Sequence, residues 1–387
     1  MPVINRIAAL KDEMTAWRHE LHAHPELAFE ERRTADFVAG KLQEFGVRVH
    51  RGLAGTGVVG TLEGRPGSHS IALRADMDAL PIREANGFGH RSQNEGVMHA
   101  CGHDGHTAML LGAARHLAET RNFAGTVHFI FQPAEEGAGG ARVMIEEGLF
   151  KQFPAEAVYG MHNWPGLPPG QFGVRAGAVM ASFDAFDIEV RGSGAHAAFP
   201  HDGIDPVIAA AQIVSALQTV VSRNANPVEA AVLSVTRING GTAYNVIPDV
   251  VTLAGGVRAL TPRMRDMVEQ RLKEVARGVG ASLGCAVETR YERGYPPTIN
   301  HEAESGDSLK AAQAVSGTAN VFTDLPPAMG SEDFAFMLEE KPGCYVWLGN
   351  GGQAGGCVLH NAHYDFNDEV LPVGASYWVT LVEQKLA

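Results

Sequence analysis

His99-Ala100-Cys101-Gly102-His103-Asp104-Gly105-His106 is the stretch that decides how this chain is read. Beyond the first histidine it holds one thiol, two further imidazoles and a carboxylate. Thiolate and imidazole are soft to borderline ligands, suited to zinc and its transition-metal neighbours. A cysteine and a histidine two residues apart would face different sides of a helix. In a loop freed by Gly102 and Gly105 they can converge on one point. The competing reading is a helix N-terminus, with Asp104 as N-cap and the histidines merely solvated. A metal site needs more ligands than this stretch offers, so the remaining chain has to supply them.

Immediately downstream, residues 107–121 are Ala/Leu-rich and predict a helix whose N-terminus is the cluster itself. Upstream, apolar residues at helical spacing (Ile7, Leu10, Met14, Trp17, Leu21) predict a helix over 4–24, ending before Pro25. A second helix is expected over 31–45, with Gly46 as its stop signal. Short apolar, β-branched runs at 58–62, 70–74, 126–131 and 157–161 read as strands. Strands alternating with helices imply an α/β layer with a mostly parallel sheet. In such sheets functional groups gather at the C-terminal ends of strands. Those ends lead into Ala75-Asp76-Met77-Asp78, Gln132-Pro133-Ala134-Glu135-Glu136 and His162.

From Ser182 the pattern changes. Strands are expected at 182–190, 230–238, 250–258 and 286–291, with helices over 206–222 and near 262–278. That β-α-β-β-α-β order is a self-contained, ferredoxin-like unit. After Pro296 the α/β pattern returns, with a helix from Ser331, a strand at 345–348 and a final helix from Asp368. We therefore expect a discontinuous domain of residues 1–182 and 296–387, with 183–295 inserted into it. Tethered near Ser182 and Pro296, the insertion can hinge as a lid.

Lys and Arg total 31 against 44 Asp and Glu, an acidic balance that repels phosphate backbones and argues against a nucleic-acid partner. No apolar stretch reaches membrane-spanning length. Cys101, Cys285, Cys344 and Cys357 are too scattered for a disulfide framework, which points to a reducing, cytoplasmic compartment.

Glu135 and Glu136 are chain neighbours in a loop, so their side chains diverge. One can bind a metal while the other faces a water, as a hydrolytic site requires. An acidic helix N-terminus is the alternative. Taken singly, His162 reads first as an ordinary capped imidazole, and His360 has the same ambiguity and competes with His363 in its stretch. Arg258 is a fork-shaped donor suited to a carboxylate, or a surface charge.

The set Arg74-Ala75-Asp76-Met77-Asp78-Ala79-Leu80-Pro81, residues 99–106, Gln132 to Glu136, Gly192 to Pro200, Asn245-Val246-Ile247-Pro248 and Ser331-Glu332-Asp333-Phe334 resembles the M20 metallopeptidase family. It is most similar to the amidohydrolase branch of hippurate, auxin-conjugate and N-acetyl-diaminopimelate hydrolases. The resemblance implies a catalytic domain with two divalent ions (Mn, Zn, Ni or Co) held by Cys101, His103, Glu136, His162 and His360. It implies attack of metal-activated water on the amide bond of an N-acyl amino acid, with Glu135 as general base and then acid. His196 would polarise the substrate carbonyl from across a homodimer interface built by the lid, and Asn245 and Arg258 would hold the substrate carboxylate. Asp76-Met77-Asp78 stands where many M20 peptidases carry His-x-Asp. Cys101 and His103 then take over ligation, with Asp78 orienting a ligand from behind. Competing readings are a dipeptidase or carboxypeptidase of the same family, a thiol hydrolase using Cys101, and a non-catalytic binder of amino-acid conjugates.

Overall fold

The computed structural model describes residues 3–352 and 358–387; Cys357 lies outside the described residues. The chain forms two compact units. The first comprises Met1–Gly177, Ile299–Pro326 and Asp333–Ala387, the second Ala178–Thr298 and Pro327–Glu332.

In the first unit, strand Arg65–Asp76 is the pivot of an eight-stranded sheet. Its second half is buried without a break, as expected of a strand covered on both faces. It pairs in parallel with Ala124–Gln132 on one side and Ala157–Pro165 on the other. Gly343–Gly351 then adds in parallel to Ala157–Pro165. Arg48–Leu53 and Gly57–Glu63 close one edge antiparallel, and the short strands Phe172–Gly173 and Val321–Phe322 close the other. The chain leaves Arg65–Asp76 to opposite sides, so the strand order reverses there and opens a crevice at the carboxyl ends. Asp76, Gln132 and His162 lie at or near those ends.

Helix His103–Thr120 is buried over most of its length. It packs against Lys11–Ala23 and Leu371–Lys385, and the latter also contacts Glu302–Ser316. Met14, Leu110, Ala114, Trp378 and Val382 all lie in one continuous core.

Several expected boundaries shift. The N-terminal helix divides into Asn5–Ala8 and Lys11–Ala23. The central helix starts at His103, not Thr107, because Gly102 takes a left-handed turn at φ 95° and serves as N-cap in place of Asp104. The segment from Ser331 becomes helical at Phe334. Asp368–Val370 forms a 3-10 turn before the last helix begins at Leu371. Helix Glu302–Ser316 and strand Arg48–Leu53 are additional to the elements that the sequence pattern predicts.

The second unit has an antiparallel sheet in the order Ala231–Gly240, Val250–Ala259, Asp184–Arg191, Ala286–Arg293. Asp184–Arg191 buries Asp184, Phe186, Ile188 and Val190 and leaves the alternate residues more open, the period of a one-face strand. Helices Pro206–Thr219 and Pro262–Ser282 cover that face. Both begin with proline, which fits the first turn. Asp205 and Thr261 cap them by accepting the N–H of Val207 and Met264. Asp184 is neutralised internally by Arg265, 2.5 Å away, and accepts the Tyr291 hydroxyl at 2.7 Å.

Among the described residues no helix is long and apolar enough to cross a membrane. Cys101, Cys285 and Cys344 are free thiols.

Candidate metal centre

The left-handed turn at Gly102 delivers Cys101 to one side and starts the helix with His103 on its first turn. Cys101 Sγ lies 3.4 Å from His162 Nε2, and with His103 these donors form one group able to hold an ion. Cys101, Glu136 and His360 form a second such group, and His103, Glu135 and Glu136 a third. All five candidate ligands are thus drawn together, and Cys101 belongs to two of the groups. His360 is placed by its N–H to Ala100 O at 2.8 Å, and its Nε2 lies 3.4 Å from Glu136 Oε1. His363 is exposed, and no candidate ligand group among the described residues contains it.

The donors are prepared for a cation. His103 Nδ1 donates to Asp78, 2.9 Å from its carbonyl and 3.2 Å from its carboxylate. Nε2 is then the nitrogen left to ligate; it is buried and has no hydrogen-bond partner among the described residues. Glu136 Oε1 is orphaned in the same way. His162 Nδ1 donates to Asn163 O at 2.6 Å, turning its own Nε2 toward Cys101. Burial, with His106 and His103 nearby, holds the His162 pKa well below the usual imidazole range, so it is neutral and able to ligate. Buried lone pairs without donors are costly unless an ion fills the space between them.

The field has the matching sign. Burial disfavours a charged His103, but Asp76, Asp78 and Glu136 outweigh it and push its pKa up to about 10. The same carboxylates that favour a proton there favour a divalent cation. For Cys101, burial and the nearby Glu136, Glu135 and Asp76 push the thiol well above its usual range. A thiol that these anions keep protonated is a poor free nucleophile, whereas a cation would draw off its proton. The arrangement therefore speaks against the thiol-hydrolase reading.

Asp78 does two things at once. Besides orienting His103, its Oδ2 accepts the Glu136 N–H at 2.8 Å. Glu135 is buried beside Glu136, and its Oε1 accepts the Asp333 N–H at 3.4 Å. Behind these groups runs a buried network that the sequence reading did not assign. Arg74 bonds Gln132 and Asp76 at 2.7 Å and Asp333 at 3.0 Å. Asp76 accepts from His106 Nδ1 at 2.6 Å, and His106 Nε2 meets Asn163 Oδ1 at 2.8 Å. With both nitrogens engaged, His106 supports the site instead of ligating. Burial opposes the Asp76 charge, but His103, Arg74 and His106 hold its pKa well below the usual carboxylate range. The available signal was spacing: His106 follows His103 by one helical turn.

The other predicted residues belong to the second unit. His196 is exposed on the short strand Ala195–His196 and faces Val246 in register; its Nδ1 accepts the Ala198 N–H. Asn245, the residue before Val246, is exposed, and its carbonyl accepts the Ala197 N–H, so His196 and Asn245 share one loop cluster. Arg258 lies on Val250–Ala259, half-buried, with its guanidinium 4.3 Å from the Phe183 ring centroid. Burial lowers its pKa, with Asp184 opposing.

The sequence matches the peptidase family M20/M25/M40 over residues 72–384. It is 42% identical over 381 residues to the hippurate hydrolase of Campylobacter jejuni, covering 98% of both chains. It is 40% identical to the N-acetyl-L-cysteine deacetylase of Bacillus subtilis, covering 96% of this chain and 88% of that one. Among solved structures, the Bacillus subtilis YXEP protein, described as a dinuclear metal-binding peptidase from the M20 family, is 36% identical. It superposes with a TM-score of 0.87 over 98% of this chain and 99% of its own. The ligand groups, the neighbouring glutamates and the match across most of the sequence converge: this chain belongs to peptidase family M20/M25/M40 and is a hydrolase of amide bonds.

Proposed function

We propose that the chain hydrolyses N-acyl amino acids, aromatic and acetyl conjugates among them, to a carboxylic acid and a free amino acid. The observation that carries this reading is the pair of neighbouring glutamates at the ligand groups. Glu136 joins Cys101 and His360 in one ligand group and joins Glu135 and His103 in another, so a second carboxylate, buried, with its Oε1 accepting the Asp333 N–H at 3.4 Å, lies beside the one assigned to the metal. A protein that only bound conjugates would have no use for that spare base.

Cys101, His103, Glu136, His162 and His360 would hold two divalent ions. When bound, such ions supply Lewis acidity and lower the pKa of water from ~15.7 toward ~7. Glu135 takes the proton of the attacking water and returns it to the leaving nitrogen, a role commonly worth ~10²–10⁴-fold. Returning the proton matters because an amide nitrogen leaves poorly as an anion. His196 is assigned to the substrate carbonyl oxygen, and Asn245 and Arg258 to its carboxylate. A cytoplasmic location goes with this reading, since Cys101 must stay reduced to serve as a ligand. Two copies are expected to pair through the second unit. Val207 and Ile208 on one of its helices and Val232 and Ile238 on an edge strand are exposed apolar surface that a second copy would cover.

The test is a panel of hippurate, N-acetylcysteine and simple dipeptides, assayed with metal-loaded wild type and Glu135→Gln. N-acyl amino acids should be turned over in preference to dipeptides. Glu135→Gln should lose about 10²-fold or more of kcat while keeping its metal and oligomeric state. Turnover at the wild-type rate in that variant would remove Glu135 from the mechanism.

A further inference from the structure

The turn that carries Glu135 has an unusual backbone. Ala134, just before it, is a non-glycine residue at φ 58°, a conformation that a side chain disfavours. Such a residue keeps its place only when its surroundings hold it. Here two carboxylates from distant segments clamp the amides on either side of Glu135. Glu31 Oε1 accepts the Ala134 N–H at 2.9 Å, and Asp78 Oδ2 accepts the Glu136 N–H at 2.8 Å. Within the turn, Gly137 N–H reaches Glu135 O at 2.7 Å and Gly140 N–H reaches Ala134 O at 2.9 Å.

Asp78 also orients His103, but Glu31 has no such second duty. It belongs to none of the candidate ligand groups and is fully buried, at 0% exposure. It stands just before helix Arg32–Glu44 and ties three parts of the chain to one carboxylate. Besides Ala134 it accepts the Phe29 N–H at 3.0 Å and the Thr56 hydroxyl at 2.6 Å. Phe29 is itself left-handed, at φ 63°. Three donors converge on the two oxygens of Glu31, an arrangement an apolar residue cannot replace.

We propose that Glu31 is a positioning residue for the reaction: by holding the Ala134 amide it fixes the left-handed turn and sets where Glu135 presents its carboxylate. The proposal rests on the reading of Glu135 as the proton-transferring base. A shift of about 1 Å in such a group can cost on the order of a hundredfold in rate.

The experiment is steady-state kinetics and metal analysis of loaded wild type, Glu31→Ala and Glu31→Gln, and of Glu31→Ala combined with Glu135→Gln. Glu31→Ala should lower kcat about ten- to a hundredfold, with KM and metal content within about twofold of wild type. Glu31→Gln, which keeps an oxygen for Ala134, should recover most of that loss. In the Glu135→Gln background the same alanine substitution should change the residual rate by less than about twofold, because the group it positions is already disabled. A wild-type kcat in Glu31→Ala would overturn the proposal, as would an equal loss in both backgrounds. Should Glu31→Ala not fold, Glu31→Asp withdraws the carboxylate by one methylene and carries the same expectation and the same overturning results. Full activity in Glu135→Gln would instead defeat the assignment of the base. An inactive Glu135→Gln beside a fully active Glu31→Ala would defeat this inference alone.

Discussion

Gly102 lies against Asn163 with no room for a side chain between them: a Cβ at residue 102 would fall 2.3 Å from Asn163 Oδ1. This close approach joins the start of helix His103–Thr120 to the end of strand Ala157–Pro165, and so brings Cys101 to His162. Gly102 is also left-handed at φ 95°, so a side chain is excluded on two grounds. Gly102→Ala should therefore destabilise the protein by on the order of 2–4 kcal/mol, the sum of backbone strain and overpacking. It should also weaken metal binding. Thermal melts with and without added metal check both effects.

Arg74 bridges Asp76 and Asp333, and all three side chains are fully buried. Removing it takes the guanidinium from two buried carboxylates, of which Asp76 keeps His103 and His106. Arg74→Met should cost about 3–5 kcal/mol, far more than an exposed ion pair. Denaturant unfolding measures this directly. A loss under about 1 kcal/mol would place the pair among those that contribute little.

His22 gives the fold a pH signature. Burial disfavours its charge, but Asp104, 2.8 Å away, and Glu84, 3.1 Å away, outweigh it and raise its pKa from 6.5 to about 9. Because folding raises the pKa, the stabilisation is complete below about pH 6.5 and is lost as the pH rises through about 9. Against a His22→Gln variant, wild type should hold its largest advantage near pH 6. That advantage should shrink by on the order of 2–3 kcal/mol by about pH 9.5. Denaturation curves at a series of pH values test the sign, and a pH-independent gap would mean a neutral ring.

The parts of the fold legible in the sequence were those with a strong local period. The stripe Met14, Trp17, Leu21 announces helix Lys11–Ala23, and the alternation Phe186, Ile188, Val190 announces its strand. Helix Glu302–Ser316 escaped because it buries small residues, Ser305, Ser308, Ala311, Ala312 and Ser316, and so shows no large apolar stripe. The start at His103 escaped because the left-handed turn of Gly102 is a tertiary fit against Asn163, invisible in the local sequence. In the site, the ligand types stood out because thiol, imidazole and paired carboxylates are chemically conspicuous. Their supports did not: Glu31 reaches Ala134 across 103 positions, and Arg74 reaches Asp333 across 259. Such partners are set by the fold, which no local spacing encodes.

Amide hydrolysis by this chain is proposed to depend on divalent ions held by Cys101, His103, Glu136, His162 and His360. Exhaustive dialysis against a chelator, followed by hippurate assay and metal add-back with the bound ions counted, tests it most directly. Turnover should be negligible without metal and should return as two equivalents per chain bind. Undiminished turnover in demonstrably metal-free protein would contradict it.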